Sequence, residues 1–252
     1  MKLLALAPCA LGALLILANC GRSSEDKDLR AIIDNAVKAH GGKANLAKYP
    51  ATIMKGDGKY HALGEAVDFS LEITGQNNRL RFGMDMKIMG FDLKVISVVN
   101  GDKGWERVND DVKEMPADQL AEHKEQMHAS AVISLLPLEN KDYKLSPLGD
   151  VKVGDQLVAG VRVSKEGRRD VNLFFDKAKG HLVKSEYVIK DIKGSGDQEI
   201  SQAIFYFDYK EFHGPRLPTR MVIERDGKKF VDIHMTDIQL LEKLDDSTFD
   251  RP

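Results

Sequence analysis

Three rhythms of apolar and polar residues succeed one another along the chain. The first is continuous: after Lys2, Leu3 to Ala18 is apolar, broken only by Pro8 and Gly12. A charged start, an apolar run and a small-residue end describe a signal peptide. The run falls short of the ~20 residues of a spanning helix and contains Pro8, which argues against a transmembrane segment. The small, polar and charged run Gly21 to Lys27 reads as a flexible tether. The second rhythm is helical. Leu29, Ile32, Ile33, Ala36 and Val37 recur at helical spacing and predict an amphipathic helix over Glu25–Ala39. Glu25, Asp26 and Asp28 suit its positive N-terminal end, and His40-Gly41-Gly42 stops it, because glycine supplies the left-handed C-terminal residue. His40 is expected to cap that end, where a cation is favoured. A short helix over Lys43–Lys48 then leads to Pro50.

From Ala51 the period falls to 2. Val67, Phe69, Leu71 and Ile73 alternate with Asp68, Ser70, Glu72 and Thr74. Leu80, Phe82, Met84, Met86 and Ile88 alternate with Arg79, Arg81, Gly83, Asp85 and Lys87. Each series places its apolar side chains on one face of a strand. Asn100-Gly101, Asn109-Asp110, Lys179-Gly180, Gly194-Ser195-Gly196-Asp197 and Asp226-Gly227 punctuate these runs as turns. Closely spaced hairpins make an antiparallel meander. One helix, Ala117–Leu136, interrupts it between Pro116 and Pro137. Further strands are expected over Gln156–Ser164, Arg169–Asp176, His181–Ile192, Glu199–Phe212, Leu217–Arg225 and Lys229–Leu240. The total is about eleven strands in one domain, with no linker dividing it.

This pattern predicts an α+β layer architecture: a single strongly curved antiparallel sheet, apolar inside and polar outside, with helices plugging its concave side. The space between sheet and helix is then either packed core or a ligand cavity, and the pattern leaves both open.

Composition narrows the functional classes. Hydrophobic residues make up 42% and charged residues 30%, a foldable globular balance. The formal charge is −2 with no Lys/Arg block, which removes the electrostatic case for nucleic-acid binding. Cys9 and Cys20 both fall at the N-terminal segment, so the domain itself has no thiol for a disulfide and its core must hold the fold unaided.

Leu17-Ala18-Asn19-Cys20 resembles the lipobox of bacterial lipoproteins, in which the thiol is diacylated and the peptide is cut just before it. Leu17 and Ala18 fit; Asn19 stands where that pattern has Gly, Ala or Ser. The resemblance implies a signal peptide over 1–19, a lipidated tether over 20–28 and a domain over 29–252, with Cys20 as the lipidation site. An ordinary signal peptide ending near an incidental cysteine is the alternative. Gly21 is not the Asp that marks inner-membrane retention in many Gram-negative lipoproteins. By that resemblance the protein is anchored to the outer membrane, facing the periplasm.

Other motifs resemble bacterial periplasmic LolA-like proteins. They are Ala39-His40-Gly41-Gly42, Val99-Asn100-Gly101-Asp102-Lys103-Gly104-Trp105 and Ile133-Ser134-Leu135-Leu136-Pro137-Leu138. Phe212-His213-Gly214-Pro215-Arg216-Leu217-Pro218-Thr219 and the closing Leu244-Asp245-Asp246-Ser247-Thr248-Phe249 complete the set. The resemblance implies an incomplete β-barrel closed by helices, holding acyl chains or other apolar ligands without cofactor or covalent chemistry. A lipid anchor on such a fold suits a lipoprotein acceptor rather than a free shuttle. The implied partners are lipid acyl chains or lipoproteins, with the protein itself a monomer. An envelope sensor or scaffold binding a periplasmic protein partner is the second reading.

Candidate ligand-contacting residues follow. Phe82, Met84, Met86, Met89 and Phe91 cluster in one stretch, and methionine adapts its shape to varied apolar ligands. Trp105 closes a hairpin; Met127 and Leu135 lie on the interrupting helix; Phe205 and Phe207, with Tyr209, share one face of a late strand opposite Tyr206. Plain core packing is the competing reading for each. No catalytic residue is expected, since the chain has no Gly-x-Ser-x-Gly elbow and no phosphate-binding glycine loop. No metal is expected either: His123 and His128 are five apart, whereas a helical chelate needs four.

Overall fold

The structure, a computed structural model, describes residues 18–61, 64–191 and 198–252, with side chains from residue 28 onward. Most of the expected signal peptide, the Cys20 thiol and the turn expected at Gly194–Asp197 lie outside the described residues.

The strands form two wings. The first holds β1 (Ala51–Tyr60), β2 (Val67–Gln76), β3 (Arg79–Ile88), β4 (Phe91–Asn100), β5 (Lys103–Val108) and β6 (Asp111–Glu114). The second holds β7 (Lys144–Val153), β8 (Gln156–Ser164), β9 (Val171–Asp176), β10 (Leu182–Asp191), β11 (Gln198–Glu211), β12 (Arg216–Arg225) and β13 (Lys228–Leu241). Three helices accompany them: α1 (Ala18–Ala39), α2 (Lys43–Lys48) and α3 (Ala117–Ile133). All strands join one antiparallel, thirteen-stranded sheet in the order β6-β5-β4-β3-β2-β1-β13-β12-β11-β10-β9-β8-β7. The first and last strands therefore pair at the centre, while β6 and β7 form the two open edges. The segment carrying α3 runs from one edge to the other. The sheet is curved and does not close into a barrel.

Thirteen strands exceed the expected count of about eleven. One unforeseen strand is β7, whose Lys-Leu-Ser-Pro-Leu-Gly-Asp sequence carries no clear apolar alternation. It lies at an edge, where Pro147 needs no ladder partner on its outer side. The register shifts between Pro147 and Gly149, a bulge of the kind that blunts an exposed edge. Near the other end of the chain, α1 already includes Ala18, ahead of the expected Glu25, so the backbone read as a tether is helical. Helix α3 stops at Ile133, and Leu135 adopts φ 67° before a 3₁₀ turn over Leu136–Glu139.

Helices α1 and α3 cover one face of the second wing, here called the inner face. Leu29, Ile33 and Ala36 of α1 meet Ala129 and Val132 of α3 over Val161, Val163, Val171, Leu173 and Phe175. Val132 and Leu138 are fully buried, so sheet and helix are in packed contact here. Arg30 ties α1 to the 3₁₀ turn by donating to the carbonyl oxygens of Leu138 and Tyr143. On the outer face of the first wing the chain's C-terminal end folds back. Leu244 and Phe249 pack there with Ala51, Val98 and Trp105, and Arg79 stacks 4.6 Å from the Phe249 ring centre.

Candidate functional site

The inner face of the first wing carries a second apolar cluster, and no helix residue belongs to it. Its buried members are Phe69, Leu71, Met86, Val231 and Ile233. Cross-strand pairing lines these up. One row runs Tyr206–Met221–Ile233–Gly58–Phe69–Met86–Leu93 across β11, β12, β13, β1, β2, β3 and β4. A neighbouring row, nearer the sheet's rim, runs Ile204–Ile223–Val231–Tyr60–Val67. Tyr206 and Met221 pack with the helix-covered core. Strand neighbours stand about 4.8 Å apart, so the rest of the first row, Ile233 to Leu93, makes an apolar strip roughly 20 Å long, the reach of an extended acyl chain. Gly58 leaves room for a neighbouring side chain at the centre of the row. A Cβ there would stand 2.6 Å from Phe69 Cζ and 2.3 Å from the Asp232 carbonyl oxygen, so Phe69 lies across a strand that carries no side chain. A shallow cavity of about 500 Å³ also lies across β1 to β4, but most of its lining residues, among them Asp57, Ser70, Asp85 and Lys94, alternate onto the outer face, so it is not part of this apolar strip.

Helix α3 reaches over to this wing. Gly104 of β5 lacks the Cβ that would collide with Met115 and Leu120, and Lys124 pairs with Asp102 at 2.7 Å. A second ion pair anchors α3 to the other wing. Glu122, 4% exposed, binds the guanidinium of Arg169, which also donates to the Val188 carbonyl at 3.0 Å. That pairing, led by the Glu122 hydrogen bond, raises the Arg169 pKa above its ordinary value. Nearby, Gln202 donates to the Tyr187 hydroxyl at 2.8 Å, and burial pushes that phenol's pKa up. A ring of polar groups therefore borders the apolar strip on its second-wing side.

The candidate residues divide between these places. Phe82, Met84 and Met86 all face inward from β3, with Met84 and Met86 in the helix-free cluster. Met89 and Phe91 form the β3–β4 hairpin tip instead, 92% and 78% exposed. Leu135 is 1% exposed within the helix-covered core, and Met127 is half-buried on α3. Trp105 points to the outer face, against the C-terminal segment. Phe205 and Phe207 also face outward, beneath Lys184 and Arg220 respectively. Tyr209 does not share their face, as the alternation implied: Asp208 at φ 55° interrupts the strand, and Tyr209 packs with His40 and the helix-covered core. His40 caps α1 through the Ala36 carbonyl, but burial lowers its pKa, so it caps as a neutral ring and not as a cation. Sequence reasoning missed Phe69, Leu71, Val231, Ile233 and Tyr60 as site residues. The alternation around Phe69 and Leu71 was visible, but the pairing of β1 with β13 that gathers them was not.

No family model matches the sequence, and no curated protein matches it. Solved structures share its fold. A putative outer membrane lipoprotein-sorting protein domain from Vibrio parahaemolyticus aligns over 89% of this chain and 97% of its own, with TM-score 0.55 and 11% identity. A DUF1329 family protein from Desulfovibrio piger covers 88% and 97%, with TM-score 0.55 and 12% identity. A LolA superfamily protein from Nitrosomonas europaea covers 88% and 97%, with TM-score 0.54 and 12% identity. The chain has the LolA-like half-barrel fold. Among the described residues no helix is long and apolar enough to cross a membrane, and no group of three or more His, Cys, Asp or Glu is placed to hold a metal ion.

Proposed function

We propose that this chain is an envelope lipoprotein that holds the acyl chains of lipids or lipoproteins against the helix-free half of its inner face, without catalysis. The observation that carries this reading is the apolar strip from Ile233 to Leu93, to whose cluster no helix contributes. Burial of apolar chain at about 25 cal/mol per Å² rewards a ligand that covers such a strip. Met84, Met86 and Met235 give the strip a wall that reshapes around different chains. Cys20 would tether this face to the outer membrane from its periplasmic side, since two or more acyl chains make attachment lasting.

Two measurements test the reading. Lipids extracted from the purified full chain should include long-chain species, and a fluorescent fatty-acid probe should be displaced by them. Met84→Lys should weaken that displacement, whereas a change at Phe205 on the outer face should not. An empty extract together with no probe binding would overturn the lipid reading. A specific periplasmic protein crosslinked to the same face would favour the sensor or scaffold reading. Separately, Cys20→Ala should release the protein from the membrane fraction.

A further inference from the structure

Arg225 ends the row of inner-face side chains at the rim of the sheet. It follows Ile223 on the same face of β12, beside the row of Val231, Tyr60 and Val67. Its Nε donates to Gln202 Oε1 at 3.1 Å. The Gln202 amide is committed on both sides, because its nitrogen donates to the Tyr187 hydroxyl. The guanidinium carbon sits 3.7 Å from the centre of the Phe230 ring, and Tyr60 meets that ring edge-on at 5.1 Å.

Arginine carries five N–H donors. Among the described residues one is taken, by a neutral amide, and Arg225 forms no ion pair. Its other nitrogens are not among the buried atoms left without a partner, so they remain within reach of a ligand. Burial lowers the Arg225 pKa despite opposing pulls from Tyr60, Asp191 and Tyr187, which marks a charge only partly compensated. A half-buried guanidinium held by an aromatic face and a neutral amide is preorganised for a planar anion.

Resting on the apolar-ligand reading above, we infer that the ligand is an amphiphile with a single anionic head, a carboxylate or a phosphate, which Arg225 binds at the rim while the chain lies along Tyr60, Val67 and Phe69. The head then stays at the solvent boundary, and the apolar strip begins one row further in. Arg225 is a specificity group on this view, and neutral lipids of the same chain length bind less well.

The test compares oleate, oleoyl lysophosphatidate and oleyl alcohol as competitors of a fluorescent probe on the full chain. Oleate or lysophosphatidate should bind about tenfold more tightly than the alcohol, the scale of one hydrogen-bonded charge. The stronger of the two anions identifies the head group. Arg225→Gln should bring that ratio close to one, and Arg225→Lys should keep most of the preference. Equal binding of all three by the unaltered protein, or an unchanged preference in Arg225→Gln, overturns the inference and leaves the apolar site standing. Failure of all three to bind overturns the apolar site as well.

Discussion

Glu122 of α3 and Arg169, two residues before β9, form a two-point ion pair, with Arg169 Nη1 3.1 Å from Glu122 Oε1 and Nη2 bound to the second oxygen. The carboxylate is 4% exposed and the guanidinium side chain 26%. Removing one partner strands a buried charge. Arg169→Ala should therefore cost about 3 kcal/mol in urea unfolding, and the double change Glu122→Leu with Arg169→Met should recover most of it. If the single and double variants unfold alike, the pair does not anchor α3.

How much of this was legible beforehand differs by residue. The alternation of Val67–Ile73 and Leu80–Ile88 gave β2 and β3 directly, because a period of 2 has one structural meaning. It could not say which face turns inward. Trp105 and Phe205 are as apolar as Met86, yet both face outward, one covered by the C-terminal segment and the other by Lys184. Tyr209 changed sides through a single left-handed residue, Asp208, whose backbone carries no reliable sequence mark. Arg225 was invisible as a candidate because its significance lies in a guanidinium held by an amide and a ring without an ion pair among the described residues, which only tertiary structure displays.

Gly58 sits at the seam where the chain's first and last strands pair. Any side chain must displace both Phe69 and the β13 backbone at Asp232. Gly58→Ala should lower stability by about 1–3 kcal/mol, the usual cost of overpacking. Gly83, whose Cβ would have only one atom near 3.9 Å, is the internal control and should tolerate alanine. Comparable losses at both positions would mean that strand propensity, not the Phe69 crossing, sets the cost.

Acid should loosen the docking of α1. His40 lies edge-on to both His181 and Tyr209, and Arg216 and Lys179 face His181. Burial lowers the pKa of His40, His181 and His128 below their ordinary 6.5. The unfolded chain then takes up these protons at higher pH than the folded one. Their stabilising contribution is complete above 6.5 and declines as pH falls below it toward the folded values. The urea midpoint should drop between pH 7.5 and 5.5, and by less in His40→Gln. An identical drop in that variant would place the sensitivity elsewhere.

Met89 and Gly90 make the β3–β4 turn with φ 50° and 88°. Tight hairpin turns of this kind favour Asn-Gly, since a longer side chain strains the left-handed backbone. Met89 is 92% exposed and contributes no buried surface in return. Met89→Asn should thus raise stability by about 0.5–1 kcal/mol, seen as a higher thermal midpoint. A fall would show that the methionine makes a contact that its exposure hides.

Trp105 is the chain's single tryptophan, so its emission reports one place. That place is the outer face, where Phe249 is fully buried and Leu244 is held by its backbone N–H donating to Gln76 Oε1 at 2.9 Å. Phe249→Ala removes a large side chain from a closed site and should cost about 3–5 kcal/mol. It should also shift Trp105 emission to the red, as water enters beside the ring. A ligand on the inner face lies across the sheet from this ring and should leave the emission wavelength unmoved. The two perturbations can then be told apart in one cuvette. A red shift on adding oleate to the unaltered protein would mean that inner-face binding is transmitted through the sheet to the C-terminal clamp.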